Sequence, residues 1–248
     1  MQNDSHNVVD TCFVRSFMRN FVRYSVVSVF VVILMASAVS QAQAQGILGE
    51  ILNRMDKYNK TLQSLQADVT MVKTNTQLGV SDTSVGSTSY LPKGSKTPMY
   101  ARIDWTKPVQ EQMAVIGDKY ELYRPRLNQI IEGKVDKAKN NAAAGGALGF
   151  MNMGRAQLKA NYNVEFVAEE NLKDGTLTWH LLLTPKVATS YKSADLWIDK
   201  DGTPRQARIL EKNNDSTTVL LEKIRKNITI KADVFTLNYP KNAKKVKA

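Results

Sequence analysis

The chain has 248 residues, with 34 basic side chains, 23 acidic ones and a single cysteine, Cys12. The net charge of +11 bears on partners rather than on the fold, and it makes anionic lipid head groups and acidic proteins candidate partners. Plain solubility explains the charge equally well. A lone cysteine excludes a disulfide framework, so the fold must be held together by burial.

The first 44 residues have the order of a secretory signal peptide: an arginine-containing start, the apolar stretch 24–39, and small residues ending at Ala44. We expect cleavage after Ala44, with Met18 as an alternative start. The apolar stretch is shorter than the roughly 20 residues that span a bilayer, which disfavours a retained anchor. Because Cys12 precedes this stretch, the exported protein is not expected to be a lipoprotein itself.

Removing the signal leaves residues 45–248, with 31 basic and 21 acidic side chains and a formal charge of +10. This length suits one domain with a proper core. Apolar residues recur at steps of three and four from Ile47 to Leu65, which predicts a helix whose polar face carries Asp56, Lys57 and Lys60. Such an amphipathic helix needs an apolar surface to lie on.

Beyond this helix the apolar period changes to two, which predicts short antiparallel strands joined by tight turns. Asp174-Gly175 and Asp201-Gly202 mark two hairpins, since glycine tolerates a positive φ. We predict about eleven strands. Residues 233–240 form the last of them, and the lysine-rich residues 241–248 are expected to be a solvated tail. So many strands in one domain form a sheet that curls on its own twist.

One segment interrupts the strands: NAAAGGALGFMNMGRAQL, residues 141–158, with four glycines and with Met151 and Met153. Its composition is compatible with a buried helix, a membrane-touching loop or a movable cover over an apolar surface. Each glycine costs about 1 kcal/mol in a helix relative to alanine, which disfavours the buried helix. The methionines can adapt to varied apolar shapes.

The inventory of reactive side chains disfavours catalysis. His180 is the single histidine after residue 44, and strand alternation puts it opposite Trp179 and Leu181, which indicates a structural role. Ser-His-Asp and Cys-His sites therefore lack members, and His, Cys or carboxylate clusters that metals prefer are missing. Residues 199–202, DKDG, lack the later ligands of a calcium loop. We predict a protein that is not an enzyme and has no cofactor and no metal.

Strand alternation collects apolar side chains on one face of the predicted sheet. In the first half of the chain these are Ile103, Trp105, Met113, Val115, Tyr120 and Leu122, and in the second half Leu177, Trp179, Leu181, Leu183, Leu196, Ile198, Val219 and Leu221. Periodicity alone favours an ordinary filled core for this face. A ligand-binding interior is the alternative.

Several stretches, in this order, resemble the LolA family of periplasmic lipoprotein carriers. They are the opening helix followed by SLQADV, the run YARIDWTKPVQEQMAVIGDKYELYRP, the step LLLTPK, the hairpin LWIDKDGTPRQARILEK and the closing DVFTLNYP. The resemblance covers about residues 47–240 and identifies residues 45–248 as a LolA-like carrier domain. It implies a mainly β (α+β) fold: a half-open antiparallel β-barrel covered by an N-terminal helix and a central helical lid.

The resemblance also implies a function. The protein is expected to bind the acyl chains of lipoproteins or lipids in an apolar cavity and to shuttle them through the periplasm from the inner to the outer membrane. The implied partners are acylated lipoproteins or lipids, an inner-membrane lipoprotein-releasing ABC transporter and an outer-membrane acceptor, with no nucleic acid and a monomeric protein. A lipid- or lipoprotein-sensing module that acts on a membrane signalling partner is the alternative on the same fold.

The expected lipid-binding residues combine the apolar strand face with the insert, which falls where the family has its lid. They are Ile103, Trp105, Met113, Val115, Tyr120, Leu122, Leu148, Phe150, Met151, Met153, Leu158, Trp179, Leu181 and Leu196. The family's lid-gating basic residue has its nearest match in Lys93, although lysine lacks the planar fork of arginine. Arg102, beside Asp104, is interpreted as an outward-facing strand residue.

Overall fold

The computed structural model describes residues 46–134, 149, 151 and 153–247, so the predicted signal peptide lies outside the described residues. Helix α1 covers residues 46–61, and helix α2 is Arg155–Asn161. The predicted N-terminal helix is confirmed, but its predicted end at Leu65 is wrong, because Leu65 begins the first strand. Within the described part of the chain, no helix is long and apolar enough to cross a membrane. Residues 149 and 151 are also helical, and Pro125–Leu127 and Ala232–Phe235 are short 3-10 helices. The strands of the described residues form one large sheet.

Twelve strands in the described part of the chain form this sheet. They are β1 (Leu65–Asn75), β2 (Val80–Leu91), β3 (Tyr100–Lys107), β4 (Glu111–Ile116), β5 (Lys119–Arg124), β6 (Gln129–Lys134), β7 (Tyr162–Asn171), β8 (Leu177–Pro185), β9 (Tyr191–Asp199), β10 (Pro204–Glu211), β11 (Ser216–Lys226) and β12 (Lys244–Lys247).

The order across the sheet is β12-β6-β5-β4-β3-β2-β1-β11-β10-β9-β8-β7. Every neighbouring pair is antiparallel except β12 with β6. Among the described strands the two edges, β12 and β7, do not pair with each other, so the sheet is not closed into a barrel. The predicted mainly β, half-open architecture is confirmed.

The C-terminal segment differs from the prediction. Residues 233–240 do not form a strand: Ala232–Phe235 is a short 3-10 helix, and the chain after it is irregular. The predicted solvated tail instead contributes β12, which pairs in parallel with β6. Without β12, β6 would be an edge strand with unpaired backbone N–H and C=O groups. Lys245 Nζ also donates to Glu132 Oε1 at 3.0 Å across the pair.

The main core lies between α1 and one face of the sheet, which we call the inner face. Ile51, Leu52 and Met55 of α1 have no exposed surface and pack in one cluster with sheet residues such as Leu181 and Leu196. This is the apolar surface that the amphipathic pattern of α1 required. Burial of these side chains contributes roughly 1.5–3 kcal/mol each and explains why α1 packs on the sheet.

A second, smaller core lies on the opposite face, the outer face, over β4–β6. It is formed by Ala114, Tyr123, Ile130 and Leu237. The C-terminal segment that supplies Leu237 is held by Arg102, which donates to the carbonyl of Val234 at 2.6 Å and pairs with Asp104 at 2.8 Å. The interpretation of Arg102 as an outward-facing residue beside Asp104 is thus confirmed.

Candidate functional site

The described residues of the insert lie on the same apolar cluster as α1. Met151 and Leu158 are buried in it, and Met153 packs against it. Leu148 and Phe150, also predicted to face the apolar interior, lie outside the described residues. The insert comes between β6 and β7, as predicted for the cover, and its described apolar side chains contact the inner-face core.

Three polar contacts tie this cover to α1. Asp56 Oδ1 accepts the backbone N–H of Arg155 at 2.8 Å, and Asn59 Nδ2 donates to the carbonyl of Met153 at 3.3 Å. The Arg155 guanidinium donates to Asn53 Oδ1. The sequence pattern predicts only that Asp56 lies on the polar face of the helix, so this role was missed. The available signal was a stripe of short polar side chains three residues apart, at 53, 56 and 59, which share one helix face.

The predicted lipid-binding residues of the strands share the inner face, with different degrees of burial. Ile103, Leu181 and Leu196 are at most 3% exposed, and Tyr120 lies in contact with Gly133 on the neighbouring strand. Partly buried positions complete the set: Trp105, Met113, Val115, Leu122 and Trp179. The fully buried members, Ile103, Leu181 and Leu196, are packed core residues in this structure, and their role in lipid binding stays a prediction.

Lys93 lies in the exposed loop between β2 and β3 and makes no hydrogen bond to any described residue. Its predicted role in gating the lid therefore stays a prediction. The polar contacts that hold the described part of the cover come from α1, through Asn53, Asp56 and Asn59.

His180 lies on the outer face, as its alternation with Trp179 and Leu181 predicted. Its Nδ1 is 2.9 Å from Glu170 Oε1, its Nε2 is 2.8 Å from Asp195 Oδ1, and its ring stacks on Trp197. Asp195 also accepts from Arg208 at 3.0 Å. With a carboxylate on each ring nitrogen, the cation is the favoured form, and a structural role fits this arrangement.

The pKa values in this network follow from the contacts. Burial lowers the pKa of His180, but the hydrogen bonds to Asp195 and Glu170 outweigh it, so the pKa is raised from its usual value. Burial raises the pKa of Asp195, but the hydrogen bonds from His180 and Arg208 reverse this and lower it. The hydrogen bond from Trp197 lowers the pKa of Glu170.

The clefts on the surface of the described residues include the following two. One, of about 470 Å³, lies beside α1 and is rich in basic side chains; the other, of about 270 Å³, lies over β3 and β4. Of the predicted lipid-binding residues, only Trp105 lines either cleft. Both clefts touch the edge of the main apolar cluster, one through Tyr58 and Leu62 and the other through Trp105.

The comparison with family models decides the identity of the fold. The model described as "Outer membrane lipoprotein carrier protein LolA" matches residues 60–238, more than two thirds of the chain. The chain belongs to the LolA family. The matched range includes the end of α1, the insert and all the strands but β12, so the resemblance inferred from the motifs is confirmed. Among curated proteins, none matches the chain significantly in sequence.

Three of the solved structures similar to this LolA family member illustrate the degree of likeness. An uncharacterized conserved protein from Thermus thermophilus has a TM-score of 0.53 and 15% identity, covering 81% of this chain and 99% of that one. MucB has a TM-score of 0.50 and 16% identity, covering 79% of this chain and 63% of that one. The lipoprotein LppX of Mycobacterium tuberculosis has a TM-score of 0.47 and 18% identity, with 75% and 99% covered.

Proposed function

We propose that this protein is a carrier that holds the acyl chains of lipoproteins or lipids on its inner face and shuttles them from the inner to the outer membrane. The observation that supports the proposal is the construction of the cover. Met151, Met153 and Leu158 lie against an apolar sheet face, while the cover is tied to α1 by only three polar contacts among the described residues. Membership of the LolA family agrees with this proposal.

The energetics of a carrier fit such a cover. Each CH₂ group withdrawn from water gains about 0.8 kcal/mol, so one long acyl chain gains on the order of 10 kcal/mol. In our proposal the cover's apolar side chains occupy the inner face when no ligand is bound, and an acyl chain replaces them. Methionine suits this exchange because its flexible thioether packs against varied shapes. Binding is then a swap of apolar contacts, which leaves release possible.

The proposal includes the cellular setting. The protein is exported by a cleavable signal peptide and works as a periplasmic monomer, without catalysis. It receives its cargo from an inner-membrane lipoprotein-releasing ABC transporter and delivers it to an outer-membrane acceptor. The supporting arguments are the order of residues 1–44, the family and the apolar inner face.

The direct test is the lipid content of the protein isolated from its own host. Mass spectrometry of the native protein is expected to detect bound acyl chains or an acylated lipoprotein, and the delipidated protein should take up a fluorescent fatty-acid probe. A lipid-free protein that takes up no probe would contradict the carrier role. The sensing module would be favoured by a different set of results. In that case the protein binds cargo and captures a transmembrane signalling protein, but it transfers no cargo to outer-membrane vesicles.

A second test asks whether the cover must move. The variant Asn59→Cys/Met153→Cys places thiols on α1 and on the cover, where the two residues are already in hydrogen-bond contact. Cross-linking with a short dithiol-bridging reagent is expected to abolish probe uptake, and reduction should restore it. The control is Thr74→Cys/Ser81→Cys, a cross-strand pair of β1 and β2 away from the cover, which should bind the probe whether bridged or not. Normal uptake by the bridged cover would exclude a moving lid.

A further inference from the structure

The cleft beside α1, which we call the basic cleft, is built from three parts of the chain. Its charged lining consists of Arg54 and Lys57 from α1, Lys200 and Asp201 from the turn after β9, and Lys226 from the end of β11. Its volume of about 470 Å³ lies in the range of small-molecule sites. The cleft is separate from the residues assigned to acyl chains, so the inference below does not rest on the proposed function.

Two of the cations are held in place. Arg54 Nη1 donates to the carbonyl of Lys200 at 2.7 Å, which ties the helix to the turn after β9. Lys226 Nζ donates to Thr203 Oγ1 at 3.0 Å and lies 5.7 Å from the ring centroid of Tyr58. Each of the two also has a carboxylate nearby: Glu50 pairs with Arg54, and Asp201 lies 3.9 Å from Lys226.

The other two cations are unengaged. The side chains of Lys57 and Lys200 are exposed and make no hydrogen bond or ion pair with another described residue. The carboxylate in the lining, Asp201, is 63% exposed and 3.9 Å from Lys226. Even with Glu50 paired to Arg54 at the margin, cations outnumber carboxylates in the cleft. A surface with both signs interspersed would not concentrate positive charge in this way.

The C-terminal end of α1 faces the cleft and opposes an anion, since it carries about half a negative charge. Thr61 Oγ1 donates to the carbonyl of Lys57 at 2.9 Å, and the backbone N–H of Leu62 donates to that of Tyr58. These hydrogen bonds satisfy two of the terminal carbonyls. The four cations therefore outweigh the helix end, and the cleft favours an anionic ligand.

The chemistry of the lining selects among anions. The guanidinium of Arg54 is occupied by Glu50 and by the carbonyl of Lys200, so it contributes charge rather than a free fork. The exposed ammonium groups of Lys57 and Lys200 suit the several acceptor oxygens of a phosphate. Tyr58 and Leu62, which line the cleft, also belong to the buried apolar cluster, so apolar surface lies beside the cations. We propose that the basic cleft binds a phosphate group, carried either by an anionic phospholipid head group or by a small phosphate ester.

The test compares two pairs of lysine-to-glutamine substitutions that change the net charge equally. Lys57→Gln/Lys200→Gln removes the two unengaged cations of the cleft. Lys73→Gln/Lys212→Gln removes two exposed lysines near the β10–β11 turn, at the other end of the sheet. Each purified protein is titrated with glycerol 3-phosphate by NMR, and is floated with vesicles of phosphatidylglycerol or of phosphatidylcholine.

We expect the cleft pair to weaken phosphate binding by about tenfold or more, while the control pair stays within about twofold. A cleft-dependent response to glycerol 3-phosphate identifies a small ester as sufficient, and a cleft-dependent response to phosphatidylglycerol vesicles alone identifies the lipid head group. Equal losses in both pairs would reduce the effect to diffuse surface charge and overturn the proposal, as would binding of neither probe by the unmodified protein. Acyl-probe uptake is measured in parallel and is expected to be unchanged.

Discussion

Two halves of the inner face differ in how completely they are covered. On β8–β11, Leu181, Leu196 and Val219 have no exposed surface, and we call this the sealed half. On β3–β6, Trp105, Met113 and Leu122 keep part of their surface exposed, and we call this the partly exposed half. The same alternation of apolar residues thus gives a packed core in one place and incompletely covered apolar surface in the other.

The difference in burial suggests different contributions of the two halves to stability and to binding. The sealed half meets α1 directly, so it carries most of the packing on which stability depends. The partly exposed half is stabilised from behind, by the second core that the C-terminal segment forms on the outer face. Its inner-face side chains have fewer neighbours to lose, so they can change partners at a smaller cost in free energy.

The largest expected effect comes from deleting the same side chain in each half. Leu196→Ala in the sealed half is expected to lower the free energy of unfolding by about 3–4 kcal/mol, because a cavity remains in a packed core. Leu122→Ala in the partly exposed half should cost about 1 kcal/mol or less. Urea denaturation of both variants measures the difference, and equal losses would show that the two halves are packed alike.

The close packing of α1 near the sealed half depends on a glycine in the turn after β9. Gly202 has φ of +83°, and a Cβ there would lie 2.4 Å from the backbone carbonyl of Arg54. Gly202→Ala is expected to cost about 2–3 kcal/mol, since the helix must shift or the turn must deform. Gly175 is the matched control: its φ is +78°, with nothing within 4 Å of the added Cβ.

Gly175→Ala should therefore cost only the strain of the left-handed backbone, about 1 kcal/mol. Both glycines follow an aspartate in a hairpin turn, so the difference between the two losses isolates the contact with α1. Thermal or urea unfolding provides the measurement. Similar losses of unfolding free energy in the two variants would mean that the packing of α1 does not depend on its close approach to Gly202.

The partly exposed half is where binding should be more sensitive than stability. Trp105→Glu is expected to reduce acyl-probe affinity at least tenfold, about 1.4 kcal/mol, because a charge would be buried against the hydrocarbon. Its unfolding free energy should fall by less than that of Leu196→Ala, since Trp105 is only partly buried. Thr106→Glu, exposed on the adjacent position, is the control. A stability loss with unchanged affinity would make Trp105 an ordinary core residue.

The sequence was sufficient for the features that depend on local pattern. The 3.6-residue period predicted α1, the two-residue period predicted the inner face, and the Asp-Gly steps predicted hairpin turns at Gly175 and Gly202. The family motifs supplied the half-open sheet. Each of these depends on residues within a few positions of one another, or on a known order of elements.

The features that sequence reasoning missed depend on contacts between distant parts of the chain. β12 pairs with the edge of β6, which would otherwise be free. The lysines of β12 had predicted a solvated tail instead. Asp56 meets the backbone of Arg155, which is 99 residues away, so its position on a polar helix face gave no hint of a tie to the cover. Periodicity gives the face of a residue but not its partner.

The smallest expected effect concerns the outer face behind the sealed half, where His180 joins Glu170 and Asp195. Because the pKa of His180 is raised on folding, its contribution is full below the unfolded pKa of about 6.5 and is lost as pH rises through the folded value. We expect the free energy of unfolding to fall from weakly acidic to weakly alkaline pH. Hydrogen exchange should quicken in β8 and β9 but not in β4 and β5, whose outer face is the apolar second core. His180→Gln should remove the pH dependence, and an unchanged profile in that variant would assign it to another group.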